Sequence, residues 1–295
     1  MRVLVATFLF VSACKAAIYA ENHNQVSEGF IRWHQKVGMK NAEEIKKTEE
    51  YFYFLNRIVG GTIAPVSAHP YLVGLLIDVN GLPSPSACGG SLISATRVMT
   101  AAHCWFDGRF QARMMTVVLG SAFLFHGGLR TPISAIAVHP QYDSRTFAND
   151  IAILYLPISV SFTHAIRPIA LPSGHLLHMD LSGFWARAAG YGRYSDITTP
   201  TTNTVARNVI LQMIDLNMCR RAFGNISPNS NICTSGYGGV GICQGDSGGP
   251  LTIISGGQDV VVGVSSFVAR DGCQLGFPSV FASVSSFIDW IHRHM

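Results

Sequence analysis

"GICQGDSGGP", residues 241–250, sets four glycines and a proline around Gln244, Asp246 and Ser247. Glycine weakens helices and strands and loses the most backbone freedom on folding. Such density suits a turn, and Gly-Asp-Ser-Gly is good turn chemistry. It also suits a place where backbone N–H groups must crowd around a reactive atom, since a Cβ would stand in the way. That second use demands partners. A serine hydroxyl becomes a useful nucleophile only when a base takes its proton, and the base needs a group to orient it.

The chain has eleven histidines, and His103 is distinguished by its setting. In "VMTAAHCW" (98–105) it follows a strand-like run and adjoins Cys104, which can pin it. Asp150 is distinguished in the same way by "ANDIAILYL" (148–156), where a charge precedes an apolar run. A carboxylate buried there must be hydrogen-bonded or paired. Ser247, His103 and Asp150 are therefore the candidate nucleophile, base and orienter.

Composition divides the chain at "FLNRIVGG" (54–61). All five lysines and all six glutamates precede residue 58. From Ile58 to Met295 the charge rests on thirteen arginines against eleven aspartates. So mild a surplus argues against a nucleic-acid or membrane-surface partner. Residues 1–20 read as a secretory signal, with Arg2 ahead of an apolar run and cleavage expected after Ala16 or Ala20. Residues 21–57 are polar, charged and free of cysteine, and read as a detachable pro-segment, helical around "NAEEIKKTEEYF" (41–52).

The remaining span can bury one substantial core and suits a single all-β domain. Strand-like runs recur between turn signals: "YLVGLLIDV", "RVMTAAH", "MMTVVLG", "ISAIAVH", "DIAILYL", "FWARAAGYG", "VARNVILQMI" and "VVVGVSSF". Such spacing predicts a sandwich or barrel. At the end, "VSSFIDWIHRH" has helical spacing, with Val284, Phe287, Ile288 and Ile291 on one face. Beyond Cys14 there are six cysteines, 88, 104, 219, 233, 243 and 273. Their spacings fit no common zinc site, so three disulfides are expected, in any of fifteen pairings. Neither metal nor cofactor is called for.

"TAAHC", "NDIAIL" and "GDSGGP", in that order, resemble the chymotrypsin-like serine endopeptidases, and the resemblance runs from Ile58 to Met295. It implies two packed six-stranded antiparallel β-barrels with a C-terminal helix and a site in the cleft between them. It makes Ser247 the nucleophile, His103 the general base and Asp150 its orienter, with the N–H groups of Gly245 and Ser247 as oxyanion hole. Ser266 matches a serine that supports the aspartate. The implied disulfides are Cys88–Cys104, Cys219–Cys233 and Cys243–Cys273. "NRIVGG" resembles the family's activation site: a trypsin-like protease would cut after Arg57 and free the Ile58 amine to pair with Asp246.

In the implied specificity pocket, Gly241 stands where a trypsin-like member carries an acid, and Ser279 stands where some arthropod relatives carry one. Phe267 and Val268 form the wall, with valine narrowing the entrance. The pocket thus reads as uncharged and shallow, suited to medium apolar side chains. The loop from Ser121 to Arg130 holds no acid, so the calcium site of some relatives is not expected. Asn225 heads an N-glycosylation sequon. The style of the C-terminal third resembles arthropod digestive chymotrypsins and collagenolytic enzymes. The expected partners are protein or peptide substrates, the activating protease and protein protease inhibitors, around a monomeric enzyme. The rival readings are a regulatory protease of body fluid and a catalytically weak binding homologue.

Overall fold

A computed structural model describes residues 32–55, 66–193, 205–224, 226, 230–270 and 272–295. The expected signal, the expected activation bond at Arg57–Ile58 and Asn225 lie outside the described residues. Thirteen strands form two antiparallel systems. The first is a curled sheet of β1 (Leu72–Val79), β2 (Ser86–Ser94), β3 (Arg97–Thr100), β4 (Ala112–Leu119), β5 (Leu129–Pro132), β6 (Ala135–Val138) and β7 (Ala152–Tyr155). Its order is β5-β4-β1-β2-β3-β7-β6, one strand more than the resemblance implies. The second is a closed six-stranded barrel of β8 (Trp185–Gly190), β9 (Arg207–Ile214), β10 (Asn231–Thr234), β11 (Pro250–Ser255), β12 (Gln258–Phe267) and β13 (Ser279–Ser283). The two-barrel, all-β expectation therefore describes the molecule.

Local pattern explains these strands. In β9, Leu211 and Met213 face the core while Ile210 and Gln212 face out, the period-2 alternation of a sheet with one wet face. In β1, seven of eight residues are buried or nearly so, as befits a strand covered on both faces. The C-terminal turn Ser285–Phe287 and helix Ile288–His292 bury Val284, Phe287, Ile288 and Ile291. Phe287, Trp290 and Ile291 join the core of the first sheet, so the chain end clamps the first system after completing the second. Burial at that clamp stabilises by roughly 2 kcal/mol per large side chain, as an upper bound.

Ahead of the barrels lies an arm: a π-helical turn His34–Gly38 running into α1 (Met39–Leu55). The helix predicted around 41–52 is present. Ala42 and Ile45 are buried in one cluster with Leu124, Ala189 and Tyr191. At the acid-free loop predicted to lack a calcium site, the arm supplies a carboxylate. The backbone N–H groups of Leu124 and Phe125 both donate to Glu49. Among the described residues, no helix is long and apolar enough to cross a membrane.

The two systems meet at glycines. Gly89, in β2, donates its N–H to the carbonyl of Ser247 at 2.6 Å. Gly248 has a left-handed φ of +81°, and a Cβ there would stand 2.2 Å from Thr100 Oγ1 and 2.4 Å from Gly89 O. Gly248→Ala should therefore cost about 3 kcal/mol or more, from strain and overlap together. Thermal unfolding should show a fall of roughly 6–12 °C, and an unchanged midpoint would contradict this account of the junction.

Candidate active site

His103 stands on a single 3-10 turn, Ala102–Cys104, directly after β3. The turn is held by the Cys88–Cys104 disulfide, which ties it to β2. Asp150 enters just before β7 from a tight loop in which Phe147 and Asn149 adopt left-handed φ values of 57° and 55°. Non-glycine residues accept such geometry only where the surroundings enforce it. Here Asn149 Nδ2 donates to Gln141 O at 2.8 Å, and Phe147 is buried against His103, with ring centroids 5.1 Å apart.

His103 and Asp150 are both wholly buried. The backbone N–H of His103 donates to Asp150 Oδ1 at 2.9 Å, and ring Nδ1 lies 2.8 Å from Oδ2. Ser266, at the end of β12, donates its hydroxyl to the same Oδ2 at 2.5 Å. An ionised carboxylate only accepts, so this arrangement places the ring hydrogen on Nδ1 and leaves Nε2 free to take a proton. Cys104 Sγ lies 3.9 Å from Nε2 and 3.8 Å from the Ser247 carbonyl, which brings the serine loop to the imidazole. Among the described residues no hydrogen bond joins Ser247 Oγ to Nε2. Contacts between a nucleophile and its base commonly tighten only when substrate binds.

Gly245 has φ +98°, and a Cβ there would meet Gly192 Cα at 2.9 Å. Only glycine fits, and the strained turn frees its N–H. Neither that N–H nor the one of Ser247 donates to another group among the described residues. Two unclaimed donors beside a hydroxyl are what a developing oxyanion requires. Behind them lies Asp246, half-buried. Its Oδ1 accepts from Gly192 N at 2.8 Å, and its Oδ2 from Cys243 N at 2.9 Å. Burial pushes this carboxyl up to about 6, against the pull of both donors. Gly190 and Gly192 leave room for it, since a Cβ on either would come within 2.6 Å of the carboxylate. A cavity of about 370 Å³ opens on the same carboxylate, lined in part by Gly238, Gly241 and Gln274.

All three expected disulfides are present. Cys88, His103 and Cys104 lie close enough to suggest a metal. The two sulfurs, however, are bonded to each other. Gly241 and Ser279 meet as expected: a Cβ on Gly241 would stand 2.7 Å from Ser279 Oγ, which accepts the Ile242 N–H at 3.2 Å. Val268 is half-buried against the cluster that contains Ile242, and Phe267 is buried against Phe223 and Phe147.

Sequence reasoning missed two aromatic neighbours of His103. Phe147 lies three residues before Asp150, yet nothing in the pattern marks its left-handed backbone. Trp33, in the arm, places its ring 5.0 Å from His103. A tryptophan inside a polar, charged segment was the available signal.

The sequence model of the family described as "Trypsin" matches residues 58–291. The chain belongs to the trypsin family. A collagenase of Hypoderma lineatum is 34% identical over 239 residues, covering 81% of this chain and 87% of its own. The human protein named serine protease 56 is 38% identical over 246 residues, and this chain spans only 39% of its length. A solved structure titled HL collagenase superposes with a TM-score of 0.71 at 33% identity, covering 80% of this chain and 98% of its own. In this trypsin-family site the Ser266 hydroxyl carries one of three hydrogen bonds to Asp150. A bond to a charged acceptor contributes about 1.5 kcal/mol or more. Ser266→Ala should therefore lower kcat about tenfold and lower the melting temperature by roughly 3–6 °C. An unaltered kcat on an apolar ester would remove Ser266 from the site.

Proposed function

We propose that the chain is a secreted serine endopeptidase, made as a zymogen, that cuts after uncharged apolar residues in a digestive fluid. The observation that carries the reading is the buried Asp150–His103 pair, to which Cys104 brings the Ser247 loop, with the free N–H groups of Gly245 and Ser247 alongside. Ser247 Oγ attacks the substrate carbonyl while His103 Nε2 takes its proton. Asp150 stabilises the resulting imidazolium, and the two N–H groups hold the oxyanion. His103 then returns the proton to the leaving amine, and water releases the acyl group by the same steps.

For activation, the proposal is a cut by a trypsin-like protease after Arg57. The freed Ile58 ammonium would enter beside Asp246 and satisfy a carboxylate that burial otherwise disfavours. The glycines at 190 and 192 and the adjoining cavity support this reading. The uncharged floor of Gly241 and Ser279, with Val268 at the wall, supports medium apolar side chains before the cut bond.

The test joins labelling to profiling. After cutting at Arg57, a fluorophosphonate should label the wild type and not Ser247→Ala, whose turnover should fall by about six orders of magnitude. A peptide library should be cut after Leu, Met or Ala, and Val268→Gly should raise relative cutting after Phe and Tyr. Labelling of Ser247→Ala, or preferential cutting after Arg, would overturn the assignment.

The proposed setting is alkaline. From Ile58 onward the only strong cations are arginines, which stay charged beyond pH ~12 where lysine fails near ~10.4. General-base action needs a neutral imidazole, which alkaline pH favours. Activity of the cut, arm-free enzyme should therefore hold to about pH 10, until the Ile58 ammonium loses its proton and its pair with Asp246. A pH–rate profile that collapses by about pH 8.5 would contradict the alkaline setting.

A further inference from the structure

The arm that precedes the activation bond lies over His103. Trp33 is only 6% exposed, and its ring meets the imidazole edge-on. The next residue is tied down: His34 N–H donates to Asp107 Oδ2 at 2.9 Å, and its Nδ1 lies 3.0 Å from Ser86 Oγ. Asn41 reaches the turn at Gly245, its Nδ2 standing 3.6 Å from the place of a Cβ on Gly245. The apolar residues Ala42 and Ile45 and the carboxyl group of Glu49 anchor the rest of the arm. A substrate cannot reach His103 while Trp33 remains. No cysteine occurs in residues 21–57, so a cut after Arg57 leaves the arm held by non-covalent contacts, the Glu44–Arg193 ion pair at 3.9 Å among them.

We propose that Trp33–Glu49 is a reversible plug, which stays bound and keeps the site shut after the Arg57–Ile58 bond is cut, and which leaves as the surroundings turn alkaline. The proposal rests on the activation reading above. Burial pushes the Glu49 carboxyl up to about 8, against the pull of the Leu124, Phe125 and His126 N–H groups and of Arg130. Tyr191 faces it from the second barrel, neutral because burial raises its hydroxyl. A freed arm carries an ordinary glutamate, so the docked arm holds a proton that the free arm gives up. Docking by this residue is strongest at low pH and is lost as pH rises to about 8. His34 acts in the opposite sense. Burial and His103 hold it down to about 3, so docking needs it neutral and weakens below its free value near 6.5. The net release window runs from about pH 6.5 to 8, and tenfold per pH unit makes it up to about 30-fold in affinity.

The experiment uses the full chain, cut after Arg57 by an arginine-specific protease and left unseparated. Native mass spectrometry reads arm retention, and activity per molecule is followed through a dilution series at pH 6.5 and 8.5. At pH 6.5 the wild type should keep its arm, and its activity should rise on dilution. At pH 8.5 release should begin at a concentration at least about tenfold higher. Trp33→Ala should hold the arm at least about tenfold more weakly, and Glu49→Gln should release it equally at both pH values. Immediate loss of the wild-type arm at pH 6.5, or equal retention by Trp33→Ala, would overturn the plug. An arm that departs as described while turnover stays absent would support the plug and count against the proposed activity instead.

Discussion

A carboxylate with no exposure to water is tolerable only where donors replace the solvent it has lost, and at Asp150 three of them converge. Two come from His103, on the first sheet, and one from Ser266, on the second barrel. The pair is therefore a joint between the halves of the molecule as well as the proposed catalytic pair. Whatever shifts one barrel against the other removes a donor from a buried charge, which costs far more than an ordinary hydrogen bond. The strained loop through Phe147 and Asn149 and the disulfide at Cys104 serve the same constraint. They hold the carboxylate and the ring where neither can turn away.

Glycine does on the serine side what hydrogen bonds do on the histidine side. Gly89, Gly245 and Gly248 let main chains approach to distances that a Cβ forbids, and the approach leaves N–H groups free beside Ser247. Asp246 extends the arrangement inward as a half-buried acid resting on two N–H donors beside an open cavity. The arm fits this plan by using the same surfaces. Trp33 covers the imidazole, Asn41 lies against the turn at Gly245, and Glu49 fills the loop that has no acid of its own.

Much of this was legible in the sequence where local pattern and global fold agree. The apolar runs of β1, β4, β7, β9 and β12 announced themselves, as did the C-terminal helix. His103, Asp150 and Ser247 stood out because charge or glycine interrupts an apolar context. Strand β2 was missed for a physical reason: "SACGGSLIS" reads as turn chemistry, yet Gly89 serves the close approach of the serine loop. Strands β10 and β13 are too short for periodicity to speak. The left-handed residues flanking Asp150 and the docking of Trp33 depend on contacts far apart in the chain, which no one-dimensional pattern records. The disulfide pairing followed from resemblance and not from spacing.

The account depends most on the tautomer that Asp150 imposes on His103. Nitrogen-15 NMR of histidine-labelled protein at a pH where the ring is neutral would read it directly. The structure predicts a proton on Nδ1, held against exchange by the carboxylate, and an unprotonated Nε2. A ring protonated on Nε2 would mean that Asp150 does not orient the base, and the mechanism built on that pair would fall.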